Sequence, residues 1–181
     1  MAYQVYSLIA EGALRPMFQD PRFFFTYYGF GWVKPLGGTG IVLHFGLTLL
    51  AALGIAAGCF YRTSCAVFFI GWTWYWFIDV SYYQNHTYLV SLISFWLFFM
   101  PANGRLSVDV WWKPALRTAY TPVWCVWLLR ALMAIVYFYA GLAKLNGDWL
   151  RGEPMGEFYG QHADFPVLGG LVTSTFWTLY M

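Results

Sequence analysis

Lys144 follows an apolar run, Ala131–Leu142, and helical spacing puts Tyr137, Ala140 and Gly141 on its side of that helix. Small residues beside an amine leave room for a flat ligand. An amine in a dry pocket gives up its proton readily and can then act as a general base. The competing reading is a lysine that snorkels to a membrane interface. Asn85 and His86 form a second candidate pair, because a neutral imidazole and an amide can hydrogen-bond an oxygen ligand without carrying charge. Against it stands a polar pair that merely faces water. Asp79 lies seven residues before His86 with a helix break expected between them, and it could pair with Lys144, His86 or Arg22. Arg130 falls inside an apolar helix, where an ion pair or a lipid phosphate is the simpler role.

The elements that position these residues are expected to be membrane helices. The chain has 181 residues, 60% hydrophobic and 10% charged, whereas soluble domains carry roughly 25% charged residues. Aromatics reach 23%, with 11 Trp and 14 Tyr, as suits side chains at membrane–water boundaries. A net charge of +2 without a basic run gives no reason to expect nucleic acid. Cys59, Cys65 and Cys125 lie in apolar stretches, read as free thiols, and form no Cys/His cluster for a metal.

These features predict an all-α integral membrane protein, a bundle of about four complete spans with partial helices at both ends. The spans are placed at about 40–60, 64–83, 84–100 and 122–145. The apolar stretches Cys65–Ile78 and Tyr88–Met100 have only 14 and 13 residues, about 20 Å of a hydrocarbon core roughly 30 Å thick. Both helices are therefore expected to extend into the polar patch from Asp79 to His86. Arg62 and the loop Pro101–Thr121, with Arg105, Lys113 and Arg117, belong on the cytoplasmic side by the positive-inside rule. Residues 144–165, richer in acids, belong outside. Arg15, Arg22 and Lys34 then also fall outside, against the rule. This topology brings Asp79, Asn85, His86 and Lys144 to one side of the membrane, with His44 near them. Met1–Leu14 lacks the basic start of a signal peptide and reads as the tail of a helix. Phe165–Met181 reads as another partial helix, so the chain is expected to be one domain, 1–181, cut at both ends. The bacterial inner membrane and the endoplasmic reticulum both remain open as its location.

Several segments, in order, carry a resemblance: Tyr61-Arg62-Thr63-Ser64-Cys65, Ile78-Asp79, Asn85-His86-Thr87-Tyr88-Leu89, Ser107-Val108-Asp109 and the long run from Val136 to Trp149. Together the chain resembles the vitamin K-dependent gamma-carboxylase family and its wider group, the horizontally transferred transmembrane domain. The resemblance implies a membrane enzyme of the lyase class with reduced vitamin K, a naphthohydroquinone, as its quinol and O2 and CO2 as co-substrates. It makes Lys144 the base that takes a quinol proton and His86 its assistant. Asn85, Tyr137 and Asp79 are the expected substrate-binding residues, and no metal is required. Epoxidation of the quinol releases a strong base, which in the complete enzymes removes a γ-proton from a glutamate-containing protein before CO2 adds. Membrane lipid is the expected surrounding. Animal enzymes carry two adjacent lysines where this chain has Ala143-Lys144, and their later helices and β-rich domain have no counterpart here. Glutamate carboxylation is therefore less firmly implied than quinol oxidation. Two other classes compete: a non-catalytic membrane protein that binds a quinone or lipid, and a haem-binding electron carrier with His44 and His86 as axial ligands.

Overall fold

The computed structural model describes residues 2–153. Among them every regular element is helical and there is no strand. The chain divides into two compact units, Met1–Cys125 and Val126–Met181. In the first, α1 (Ala2–Ala10) and α2 (Leu14–Phe18) precede three long helices, α3 (Thr39–Ala57), α4 (Tyr61–Phe77) and α5 (Asn85–Phe99). A short helix, α6 (Val108–Trp112), and a 3-10 turn at Pro114–Leu116 follow. Helix α7 (Val123–Ala143) begins in the first unit and runs through the second, where α8 (Gly147–Leu150) succeeds it.

Local chemistry sets the ends of these helices. Gly58 adopts φ 62°, its N–H reaches Ile55 O at 3.1 Å, and the Cys59 N–H reaches Gly54 O at 2.8 Å. This is the left-handed stop that a glycine supplies at low cost, and it closes α3. At the start of α5, the Thr87 hydroxyl both accepts from Gln84 N–H (3.0 Å) and donates to Gln84 O (2.6 Å). Glu11 and Gly12, the latter at φ 67°, end the first apolar helix after Ala10.

Helix α4 lies at the centre of the first unit, with α3 and α5 packed against it and α1 against α3. Its buried residues Tyr61, Cys65, Phe68, Trp72 and Tyr75 recur every three or four positions, the period of one helical face, and Trp76 lies one turn beyond Trp72. Toward α3 the approach is close: a Cβ on Gly71 would collide with the Thr48 hydroxyl, and one on Gly54 with that of Ser64. Toward α5 the buried stripe is polar, Thr87, Ser91 and Ser94. The Trp72 indole donates to Thr87 O and that of Trp76 to the Ser91 hydroxyl, both at 3.0 Å. Meanwhile Val42, Leu43, Leu47, Leu50 and Leu53 of α3 are exposed. Small and hydroxyl residues inside with leucines outside is the arrangement of helices packed in lipid, where polar groups join helices and apolar ones meet acyl chains.

Two of the expected spans meet the length for crossing a membrane, α3 with 19 residues and α7 with 21. Helices α4 and α5, with 17 and 15 residues, rise about 25 and 22 Å, short of a typical core. The extension into the polar patch does not occur as expected for α4. That helix stops at Phe77, because Asp79 turns the chain into a 3-10 turn at Val80–Tyr82 by accepting from Ser81 N–H at 2.8 Å. The partial helix expected at Phe165–Met181 and the outer-loop residues beyond 153 lie outside the described residues.

Candidate functional site

Asp79 is 5% exposed, and each of its oxygens accepts a backbone proton, Oδ1 from Ser81 and Oδ2 from Phe25 (3.1 Å). The Val80 N–H returns a bond to Phe25 O at 2.8 Å. The carboxylate thus fastens the segment around residue 25 to the end of α4. Burial pushes its pKa up, but the bonds from Ser81 and Phe25 outweigh this and hold it below the ordinary value. Asp79 makes no ion pair among the described residues, and neither Arg22 nor His86 pairs with it there.

Asn85 and His86 open the first turn of α5, and both side chains are exposed. Neither side chain has a hydrogen bond or ion pair among the described residues, which leaves both available to a ligand. His44 differs. It is half-buried, and its Nε2 donates to Gly71 O at 3.0 Å, since a carbonyl oxygen only accepts. It lines an apolar groove of about 300 Å³ between α3 and α4 with Leu47, Val67, Ile70 and Trp74.

In the second unit Lys144 follows the last residue of α7, with its N–H on Gly141 O at 3.0 Å. Its side chain is exposed, and Nζ sits 4.8 Å from the ring centroid of Trp149. That is the geometry of an ammonium on an indole face. The chain folds back because Asn146 caps both helices: Nδ2 donates to Ala143 O and Oδ1 accepts from Trp149 N–H, each at 3.0 Å. Tyr137 is exposed, and a Cβ added at Gly141 would meet nothing among the described residues, so that among them the face beside the amine is open. The Asn146-Gly-Asp-Trp149 run is a readable helix start, but the closure of Trp149 on Lys144 was not anticipated.

Asp109 is the other organising carboxylate, and the sequence reading named it only within the Ser107-Val108-Asp109 segment. Oδ1 accepts from Phe60 N–H (2.8 Å), and Oδ2 from Tyr61 N–H (3.0 Å) and from Asn103 Nδ2 (2.9 Å). It caps α4 from 48 residues away. Burial raises its pKa, and the bonds from Tyr61, Phe60 and Asn103 with nearby Lys113 bring it below the ordinary value. The Tyr61-Arg62-Thr63 and Ser107-Val108-Asp109 segments therefore meet, and this contact is architectural.

A helical protein with lipid-type packing and two helices able to cross a bilayer defines a membrane-protein class. The HTTM domain matches the chain over residues 1–181, and the chain belongs to that family of membrane proteins related to vitamin K-dependent carboxylases. No solved structure matches it.

Proposed function

We propose that this protein oxidises a reduced naphthoquinone in the membrane, with Lys144 as the base that takes the quinol proton. The observation that carries the reading is the open face beside Lys144, bordered by Gly141 and Tyr137, at the end of a membrane-length helix. Membership of the HTTM family supports the same chemistry. The quinol, when bound, supplies the electrons that reduce O2 and becomes the epoxide, one oxygen atom entering the ring and the other leaving as water. The residues do the rest. A base must meet its substrate without its own proton, so Lys144 has to leave the Trp149 face and contact the quinol hydroxyl as a free amine. A flat ring on the Gly141–Tyr137 face competes with Trp149 for that position. His86 and Asn85, whose side chains are unengaged among the described residues, hold a quinol oxygen and the negative charge that develops on it. Asp79 serves this site indirectly, by fixing the turn that precedes α5.

The reading requires α4 and α5 to join α3 and α7 as spans, their short lengths being made up by local thinning or by the polar turn entering the headgroup layer. It also requires loop 101–121 to be cytoplasmic, so that the start of α5 and the end of α7 can share the outer side. Carboxylation of a glutamate-containing protein with CO2 is the extension of this chemistry.

A second reading is a quinone- or lipid-binding protein without turnover, and the apolar groove beside His44 favours it. The haem alternative has less in its favour, because His44 Nε2 is already engaged by Gly71 O. The deciding experiment supplies a reduced naphthoquinone and O2 to the purified full chain in lipid. Epoxide formed with one O2 consumed per quinol supports the enzyme. Saturable quinol binding with no epoxide transfers the case to the binding protein.

A further inference from the structure

The end of the first unit that carries the α3–α4 turn holds a cavity of about 530 Å³, lined by Arg62, Thr63, Asn103, Trp112, Lys113 and Thr118 among others. Its walls are fixed by hydrogen bonds. The Asp109 N–H donates to Gly58 O at 3.0 Å, the Thr118 N–H to Gly104 O at 2.9 Å, and the Ser107 hydroxyl to Asn103 O at 2.6 Å. The Asp109 carboxylate faces backbone donors and Asn103. Neither Arg62 nor Lys113 forms an ion pair among the described residues, and both are exposed, although Lys113 stands near enough to Asp109 to favour its charged form. Counting Arg105 and Arg117, which lie outside the cavity, the α3–α4 turn and residues 101–118 carry four cations against one carboxylate, Asp109.

The height of this cavity follows from the clamp. Gly58 caps α3, a helix long and apolar enough to cross the membrane, and Asp109 is bonded directly to it. The cations therefore lie where a spanning helix ends. The same loop exposes Leu106, Trp111, Trp112 and Leu116, side chains that suit the boundary between headgroups and acyl chains. We propose that the cavity between the α3–α4 turn and loop 101–118 holds the headgroup of an anionic phospholipid, with Arg62 and Lys113 on its phosphate and the Trp111–Trp112 side of the loop against its chains. A free phosphate ion would use the cations and leave the exposed tryptophans and leucines unexplained.

The test uses the full chain in mild detergent, titrated with phosphatidylglycerol or phosphatidylcholine, with bound lipid counted by native mass spectrometry. Wild type is expected to retain one phosphatidylglycerol at concentrations that leave phosphatidylcholine unbound. Arg62→Gln with Lys113→Gln should weaken that retention by about tenfold or more, since each cation near a headgroup contributes appreciably. Arg105→Gln with Arg117→Gln, outside the cavity, should change it far less. Each single variant, Arg62→Gln and Lys113→Gln, spares the Asp109 clamp and should show a partial loss with an unchanged helical circular dichroism spectrum. Equal retention of both lipids, retention unaffected by the Arg62/Lys113 pair, or release by millimolar inorganic phosphate would overturn the proposal.

Discussion

Asp109 shows how much a single side chain can organise in this molecule. Its carboxylate accepts from the Phe60 and Tyr61 N–H groups at the start of α4 and from Asn103, and its own N–H donates to Gly58 O, which holds loop 101–118 there. Asp109→Ala removes a helix cap together with charge-assisted bonds and should destabilise the first unit by about 2 kcal/mol. Asp109→Asn, which keeps one acceptor oxygen, should cost less. Reversible unfolding in mixed micelles measures both. Asp79 and Asp109 each have a folded pKa below the ordinary 3.8. Their contribution to stability is therefore fully present above that value and lost as pH falls through the lower, folded one. Thermal stability should be level from neutral pH to about 5 and fall below about 4, and Asp109→Asn should blunt that fall. A midpoint that drops by the same amount in the variant would contradict the assignment. Neither role could be read from spacing, because Asp109 is 48 residues from Tyr61 and Asp79 is 54 from Phe25. The uncrowded face beside Lys144 was readable, since it is set by residues within two turns.

Elements were more legible than contacts. Apolar runs bounded by glycines or polar turns placed the four long helices within a few residues, except at the end of α4. There α4 ends at Phe77, six residues before the expected boundary at 83, because Asp79 turns the chain. The periodic polar stripe Thr87, Ser91, Ser94 was present in the sequence, but hydropathy averages conceal it, because it is the inside of a lipid-type bundle. The α3–α4 crossing gives a paired prediction. Gly71→Ala pushes a methyl into Thr48, whose hydroxyl is buried and bonded to His44 O at 2.8 Å, and should cost about 1–3 kcal/mol. Gly46→Ala, on α3 with nothing near the added carbon, should be neutral or stabilising by up to about 1 kcal/mol. Adding Thr48→Ala should recover most of the Gly71→Ala loss. Equal effects of the two glycine substitutions would show that the helices do not cross closely at Gly71.

At the scale of the whole molecule, the proposed chemistry needs the start of α5 and the end of α7 on one side of the membrane, opposite loop 101–121. In a background without Cys59, Cys65 and Cys125, Gln84→Cys and Asp148→Cys should react with an impermeant thiol reagent in sealed cells, and Ala115→Cys should not. Reaction at Ala115→Cys with silence at the other two would invert the topology, and a split between positions 84 and 148 would end the shared site. The positive-inside rule supports this arrangement only in part, because Arg15, Arg22 and Lys34 oppose it. The central claim is that Lys144 moves the proton. It is tested most directly by epoxide formation from a reduced naphthoquinone in the full chain carrying Lys144→Ala, with Lys144→Arg beside it. An exposed side chain beyond the end of α7 contributes little packing, so both variants should insert and fold as wild type. Loss of a general base should lower turnover by about 10² to 10⁴, and arginine should not restore it, because guanidinium keeps its proton. Added small amines should return part of the activity to the alanine variant alone. Wild-type rates of epoxide formation in Lys144→Ala would contradict the account.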